Sequence, residues 1–497
     1  MNGASPAKRR STNAHPTARL VGAVPWALAE ALATAGTGIA SVVLMGWLLT
    51  PAEVGAAGAA LAVVYLTEAF SSAGLQEALV RSRHDTVASD TANTLSLVLA
   101  GLAVVVVGAG AFVLDAAYHA PGLVGLTLVA SLILPCNALV AVPTALMTRK
   151  LRAKSLAMRL LWGKVLGVLV LFLVAIAGGG AWAIVLSILA TSAASLLAMR
   201  VMTSRWPRLR FERKEARELL RFGGFVGLDG VLWTIGMRVF TLLFGLFHGL
   251  AALGQMQFAM RLVDELSRLL QSIVARFGLA YFAQLKRRDP NLKASFSKGT
   301  RFLVAIASPV FAGLAITAGQ AVPLLFGRQW DQSVLFVQLF AIGWILAFPR
   351  ILLSAALRAE GRPSIMAAYS GISAAFIVAG VGVTAGLSPV FAVVAWTARE
   401  VIAQPWSMWA TARFIGIPLA RQWEQVSGTW LATIVMACGV VALQLVVPVH
   451  DPLAALALSI ITGMALYAGA LAVFHRDAFA LTLATILRVL GRRPVSP

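Results

Sequence analysis

The sequence predicts an all-α polytopic membrane protein of about fourteen transmembrane helices. They form two six-helix bundles related by a pseudo-twofold along the membrane normal, plus two C-terminal helices. Three observations predict this. The 497 residues are 59% hydrophobic and only 12% charged, whereas soluble domains carry about 25% charge. Apolar runs succeed one another from Trp26 to Phe474, each near the roughly 20 residues that cross a bilayer as a helix. Lys and Arg gather in every second connection, and segments of the two halves repeat at one constant offset.

The elements follow in order. Residues 1–20, with Lys8, Arg9 and Arg10 among Pro, Ser, Thr and Asn, read as a disordered cytoplasmic tail. A cleaved signal peptide is the competing reading. The run 24–49 is too long for its apolar core of about 7–15 residues and contains Glu30. Residues 21–203 make the N-terminal six-helix bundle, with spans at 24–49, 56–80, 94–114, 122–146, 158–177 and 181–203. The linker 204–221, with the residue that follows it, sets Phe211, Leu219, Leu220 and Phe222 among charges, the pattern of a short amphipathic helix at the membrane surface. Residues 222–415 make the second bundle, with spans at 222–247, 254–280, 301–326, 333–357, 364–386 and 390–413. Two extra helices, 427–447 and 453–475, occupy residues 416–480, and 481–497 is a cytoplasmic tail.

One set of connections carries Arg81 and Arg83, then Arg149 to Lys154, Arg205 to Arg221, Lys286 to Lys298, Arg358 with Arg362, and Arg413 with Arg421. The alternate set reads PAEVG, LDAAYHAPG, AGGG, HGLAALG, FGRQWDQ, GLSP and VVPVHDP, where Arg328 stands alone. Short Lys/Arg-rich loops stay in the cytoplasm, so both termini are expected on the cytoplasmic side. The net charge of +21 sits on those loops, where anionic membrane lipids account for it and nucleic acid need not. Cys136 and Cys438 fall within apolar spans and make neither a disulfide framework nor a metal site.

The repeat is read from two segments. VLMGWLLTPAEVGAAGAA joins spans one and two, and LLFGLFHGLAALGQMQFA joins spans seven and eight. Gly46 aligns with Gly245 and Gly55 with Gly254. Six spans per half is an even number, so both halves share one orientation about an axis along the membrane normal.

Several longer segments resemble a known family. They are LTPAEVGAAGAALAVVYLTEAFSSAGLQEALVR, TRKLRAKSLAMR, LLRFGGFVGLDGVLWTIGMRV, PLLFGRQWDQSVLFVQLFA and ALRAEGRP. The chain is similar to the Wzx-type polysaccharide flippases of the multidrug/oligosaccharidyl-lipid/polysaccharide exporter superfamily. The resemblance implies two bundles in a V around a central cavity. It also implies export of an undecaprenyl-diphosphate-linked oligosaccharide by alternating access, for O-antigen, exopolysaccharide or capsule assembly, usually driven by an ion gradient. A polysaccharide polymerase and a chain-length regulator are the neighbours it suggests. The family has no short signature from which site residues transfer.

Candidate residues come instead from charges at bilayer depth, which cost about 2.5–3.5 kcal/mol each at a helix centre and normally face a cavity or a partner. In span eight Arg261, Asp264, Glu265, Arg268 and Ser272 share one helical face. Self-neutralisation by the pairs Arg261/Glu265 and Asp264/Arg268 is the bland reading. Arg261 and Arg268 are candidate ligands for the diphosphate, with Arg238 of span seven as a third, because guanidinium forks bind phosphate oxygens. Tyr65, Glu68, Ser72 and Gln76 line one side of span two, and Glu30, Thr34, Thr37 and Ser41 one side of span one. Glu30, Glu68 and Asp264 are the candidates for ion coupling; hydrogen bonding to neighbouring hydroxyls is the competing role. Arg350 and Lys164 lie near cytoplasmic ends and are expected to snorkel. Arg399 and Glu400 are expected to pair with neighbouring helices.

Catalysis and cofactors find no motif. There is no P-loop, no paired acidic motif in an outer loop and no metal-ligand cluster. His119, His248 and His450 sit in separate loops. The rivals to a flippase of this kind are a drug/cation antiporter or peptidoglycan-precursor flippase of the same superfamily, and a membrane polysaccharide polymerase or glycosyltransferase.

Overall fold

The computed structural model describes residues 33–71, 74–81, 86–150, 152–203, 206–288, 292–359, 363–447 and 449–480. Every regular element among them is helical. Helix α1 (Ala33–Leu48) leads through two residues into α2 (Pro51–Ser71). PAEVG, expected as a loop, is the first turn of α2. The Thr50 N–H donates to the Glu53 carboxylate at 2.8 Å, and the Glu53 N–H to the Thr50 hydroxyl at 3.4 Å. This reciprocal cap, with Pro at the first helical position, starts the helix sharply.

The first half continues with α3 (Leu75–Arg81), α4 (Thr86–Tyr118), α5 (Leu123–Ser131), α6 (Ile133–Arg149), α7 (Ala153–Ile176) and α8 (Ala181–Met202). The fourth expected span is broken at Leu132, which leaves Pro135 in the first turn of α6. A missing N–H costs nothing there.

In the second half α9 (Arg213–Arg288) runs through the linker helix and both of the next two spans. It reverses at Gly249, whose φ of 84° and ψ of 167° suit a residue without Cβ. Then come α10 (Leu292–Phe326), α11 (Asp331–Ala347), α12 (Ile351–Ala359), α13 (Pro363–Val383) and α14 (Pro389–Ala410). Tight 3₁₀ turns at Arg328–Trp330 and Phe348–Arg350 flank α11, and a π turn, Thr411–Ile415, ends α14. Two last helices, α15 (Leu419–Val446) and α16 (Pro452–Phe474), pack on each other and on α10.

Among the described residues eleven segments are long and apolar enough to cross a bilayer, fewer than the fourteen expected. One of them, Leu228–Gln271, contains the Gly249 reversal. Helix α1 is described only from Ala33 and so counts as short, and α14 carries Arg399 and Glu400 in mid-sequence. Large apolar side chains point outward along the helices, among them Val105 and Phe112 of α4, Leu173 of α7, and Ile461 and Met464 of α16. In water such patches aggregate; against lipid tails they cost nothing. The protein is a multi-pass membrane protein.

The linker departs from its expected form. Residues 206–212 are strapped along the start of α4. The Arg208 N–H donates to the Asp90 carboxylate at 3.0 Å, and the Glu212 N–H to the Thr91 hydroxyl at 3.2 Å. The first turns of α9 bury Ala216 and Leu219 and turn their charges outward. Leu219 packs on Leu75, Leu79 and Val142 of the first half.

The halves are joined where α2 crosses the second arm of α9, at the Lys/Arg-poor end. A methyl on Gly55 would collide with the Leu250 carbonyl, and one on Gly254 with the Pro51 carbonyl. Either methyl would also lie 3.0 Å from the other glycine's nitrogen. The repeat inferred from the sequence is thus a physical contact, with equivalent residues facing each other. Two aromatic rings reinforce it reciprocally: Phe326 lies over Gly46 and Tyr118 over Gly245. The Trp330 indole donates to the Gly46 carbonyl at 2.8 Å and the Trp47 indole to that of Leu325 at 2.5 Å. Phe258 stacks on Trp330 with ring centroids 4.1 Å apart, so this end is packed shut.

Candidate functional site

Tyr65 lies roughly 15 Å farther along α2 from Gly55, at 1.5 Å per residue. Here the seam between the halves changes from glycine to charge. The Arg238 guanidinium sits over the Tyr65 ring at 4.7 Å, a cation–π contact that gains strength away from water. The same guanidinium lies near Glu68 and Asp264, and its buried Nε has no hydrogen-bond partner. Arg238 and Asp264 can be neighbours because the chain reverses at Gly249, which sets the two arms of α9 side by side.

Each carboxylate is oriented by a second helix. The Asn137 amide of α6 donates to Glu68 at 2.8 Å, and the Trp344 indole of α11 donates to Asp264 at 3.3 Å. Arg261 directs Nη1 to the Met45 sulfur of α1 at 3.8 Å and lies near Tyr65 and Glu265. Glu68, Arg238, Arg261 and Asp264, all singled out in the sequence, therefore converge with Tyr65 on one seam, two acids against two guanidiniums.

Arg268 behaves differently. It makes a bidentate pair with Glu265 at 2.7 and 3.3 Å, and its side chain is 57% exposed. The hydrogen-bonded pair on this face is thus i,i+3, and not the i,i+4 pairs expected. Glu265 itself lies against Gly38 of α1, where any Cβ would overlap the carboxylate. Glu30 and Ser72 lie outside the described residues. The hydroxyls expected to line a cavity from α1 are used locally: Thr37 donates to the Ala33 carbonyl at 2.7 Å and Ser41 to that of Thr37 at 2.9 Å. Such bonds to the preceding turn satisfy a hydroxyl in an apolar helix without water.

A second charged cluster lies inside the second half. Arg350 donates to Glu400 at 2.7 Å, and Arg399 donates to the other oxygen of the same carboxylate. Arg399 also lies over the Trp396 and Trp233 rings at 4.5 and 4.9 Å, and Arg350 over Tyr369 at 4.6 Å. Arg350 therefore does not snorkel; its side chain is 11% exposed and turned inward to Glu400. The expected partner for Glu400 on another helix is Arg350. Sequence reasoning missed Asn137 and Trp344 as well, since neither carries charge or follows a period. Among the described residues no three His, Cys, Asp or Glu side chains are grouped to hold a metal ion.

An ion pair at 4 Å is worth about 4 kcal/mol at an effective dielectric of 20. Desolvation can consume that gain. The charges of this seam are therefore a weak source of stability.

Comparison with known proteins now places the chain. A family model described as "Polysaccharide biosynthesis protein" matches residues 44–335, more than half of the chain. The succinoglycan biosynthesis transport protein ExoT of Rhizobium meliloti (strain 1021) is 25% identical over 326 residues, 64% of each chain. The teichuronic acid biosynthesis protein TuaB of Bacillus subtilis (strain 168) is 24% identical over 266 residues, 52% of this chain and 54% of TuaB. The chain thus spans somewhat under two thirds of ExoT and about half of TuaB. Among solved structures, the lipid II flippase MurJ in an inward closed conformation superposes with a TM-score of 0.71 at 13% identity, covering 90% of this chain and 99% of MurJ. An inward-facing multidrug resistance MATE family transporter of the MOP superfamily gives 0.54 at 14% identity, over 79% of this chain and 98% of that one. With its helices laid out on this fold and a family model spanning most of both halves' opening spans, the chain belongs to the polysaccharide biosynthesis protein family.

Proposed function

We propose that the protein is a flippase. It moves an undecaprenyl-diphosphate-linked oligosaccharide repeat unit across the bacterial inner membrane by alternating access, coupled to an ion gradient, for O-antigen, exopolysaccharide or capsule assembly. In this reading it has about fourteen spans, its basic loops and both termini are cytoplasmic, and polymerase and chain-length regulator act downstream. It carries out no covalent chemistry. The name of ExoT, a succinoglycan biosynthesis transport protein, supports a transport role in polysaccharide synthesis. One observation carries the reading: Arg238 at the seam, held by Tyr65 and near two carboxylates, with a buried Nε still open. A diphosphate entering between the halves displaces carboxylates from Arg238 and Arg261, and Glu68 and Asp264 released in this way take up the coupling ion. Glu30 is a third coupling candidate on its sequence position.

The test follows lipid-linked precursor, identified by its glycan, in cells lacking the protein. Precursor accumulates on the cytoplasmic leaflet, wild-type protein clears it, and Arg238→Ala at equal membrane level does not. Unchanged precursor distribution after deletion defeats the flippase reading. Precursor already on the outer leaflet but unpolymerised favours a polymerase instead. Orientation is read separately: a Cys at Gly249 is labelled from outside, and one at Glu215 only after permeabilisation.

A further inference from the structure

The two acids at the seam belong to different halves. Glu68 stands with Tyr65 on α2 of the first half, and Asn137, which orients it, is also in the first half, on α6. Arg238, Asp264 and Trp344 all belong to the second half, on the two arms of α9 and on α11. The reversal at Gly249 sets Arg238 beside Asp264. Parting of the halves therefore takes Tyr65 and Glu68 away from Arg238 and leaves Asp264 within its reach.

In this structure Arg238 is turned to the first half, with its guanidinium over the Tyr65 ring at 4.7 Å and near Glu68. Among the described residues Asp264 makes no ion pair and one hydrogen bond, from the Trp344 indole to Oδ1 at 3.3 Å. That indole is held by stacking on Phe311 of α10, with ring centroids 6.2 Å apart. The second oxygen, Oδ2, takes no part in either contact. The charges facing Asp264 are Arg238 from the first arm of α9, and Arg268 and Glu265 from its own arm. Arg268 is committed to Glu265. The neighbours from α10 and α11, Phe311 and Trp344, are neutral, and α2 presents Tyr65 and Glu68 to Arg238. Asp264 is only half-buried. Arg268, one turn nearer the basic end on the same face, is 57% exposed, so water reaches the seam from that end.

A carboxyl shielded from water is ionised when a guanidinium pairs with it and neutral when none does. The neighbours also select the ion. A metal cation needs several oxygen ligands, whereas the groups turned to Asp264 include an indole N–H and guanidiniums; a proton needs one carboxylate oxygen. We propose that Asp264 is a proton site linked to the seam. Oδ2 holds the proton while Tyr65 and Glu68 hold Arg238, and gives it to water when the halves part and Arg238 pairs with Asp264. One O–H bond forms and breaks in each cycle, with water as donor and acceptor. Glu68 keeps Asn137 in both arrangements and is not the site. The linkage names the ion and the residue of the transport reading; it rests on the halves parting and not on the glycan.

The test uses the full chain in lipid nanodiscs, without substrate. Spin labels are placed at Val201→Cys on α8 and Val401→Cys on α14, both exposed, after replacement of Cys136 and Cys438. Electron–electron distances are recorded from about pH 8 to about pH 5, between the ordinary ranges of lysine and carboxylate side chains. Acidification raises the joined-seam population of wild type, and one linked proton changes the ratio by up to about tenfold per pH unit. Asp264→Asn, neutral at every pH, stays joined and loses the response. Glu68→Gln retains it. If Asp264→Asn does not fold, Trp344→Phe decides: without the N–H that favours the ionised carboxylate, the pH midpoint of the change moves upward. A wild type with two populations that ignore pH overturns the proposal, as does a response that survives Asp264→Asn, vanishes in Glu68→Gln or keeps its midpoint in Trp344→Phe; the transport reading then stands. One unmoving distance in every variant overturns the proposal and alternating access together.

Discussion

Replacing Gly55 by Ala places a methyl where the Leu250 carbonyl stands, with the Leu250 carbonyl carbon at 2.7 Å and the Gly254 nitrogen at 3.0 Å. All these atoms are backbone, so no rotamer change relieves the clash. The carbonyl oxygen is nearer still, so the two helices must separate by about 1.7 Å to reach an ordinary contact near 3.5 Å. Overpacking of this kind costs about 1–3 kcal/mol. If opening of the Lys/Arg-poor end parts this crossing, the cost falls on the shut state alone. It shifts the balance toward a state open at this end by about 5–150-fold. The assay is electron–electron distance measurement between spin labels at Ala52→Cys and Ala251→Cys, both exposed near the crossing, after replacement of Cys136 and Cys438. Wild type should give a single short distance, and Gly55→Ala a growing longer population. Gly254→Ala should do the same, and the double variant less than the sum, because both changes act on one contact. A folded Gly55→Ala protein with the wild-type distribution would refute the claim that this crossing closes the end.

Three further expectations concern charge. Arg238→Ala and Arg261→Ala should lower transport by roughly tenfold or more, as loss of a charge-assisted bond implies. Arg268→Ala, already exposed and paired, should stay nearer to Arg421→Ala; equal losses for all four at equal protein level would count against the seam. Glu400→Gln leaves Arg350 and Arg399 without a carboxylate and should destabilise by about 3–5 kcal/mol, read as a lowered thermal midpoint in detergent, with an unchanged midpoint contradicting it. His475, just past α16, is held below its usual range by burial, then by Arg301, partly opposed by Asp477. The unfolded chain therefore binds the proton more readily. The stability from the neutral ring is complete above about pH 6.5 and is lost as pH falls through the folded-state value. His475→Gln should flatten the acid side of the stability profile, and an identical profile would remove the residue from it.

The fold was legible because lipid imposes a coarse rule: apolar length and the placing of Lys and Arg need no knowledge of partners. Even the twofold relation showed in Gly46, Gly55, Gly245 and Gly254, since backbone approach at Gly55 and Gly254 leaves no room for a side chain. PAEVG was misread because a capping box and a turn share residue types, and only the hydrogen bonds of Thr50 and Glu53 separate them. In the site, Glu68, Arg238, Arg261 and Asp264 were visible as charges in apolar runs. Their partners were not. Asn137 and Trp344 are brought in by tertiary packing from α6 and α11. Arg350 was read as snorkelling because the distance from a span end says nothing of what lies inward, and Glu400 lay inward.

The glycine crossing has the form of an isologous contact, in which residue i meets j while j meets i: Gly55 faces Leu250, and Gly254 faces Pro51. Two identical chains meeting in this way must present the same group from both sides of the dyad, at every depth. One chain holding both copies is released from that obligation. Near the crossing the symmetry is kept, because two backbones need the same clearance. One turn deeper Gly58 already faces Gln257, and farther along the corresponding positions hold Tyr65 and Asp264. A homodimer would oppose acid to acid or ring to ring there. Covalent fusion is what permits an aromatic ring on one side and a carboxylate on the other, and so a seam polarised across its own axis.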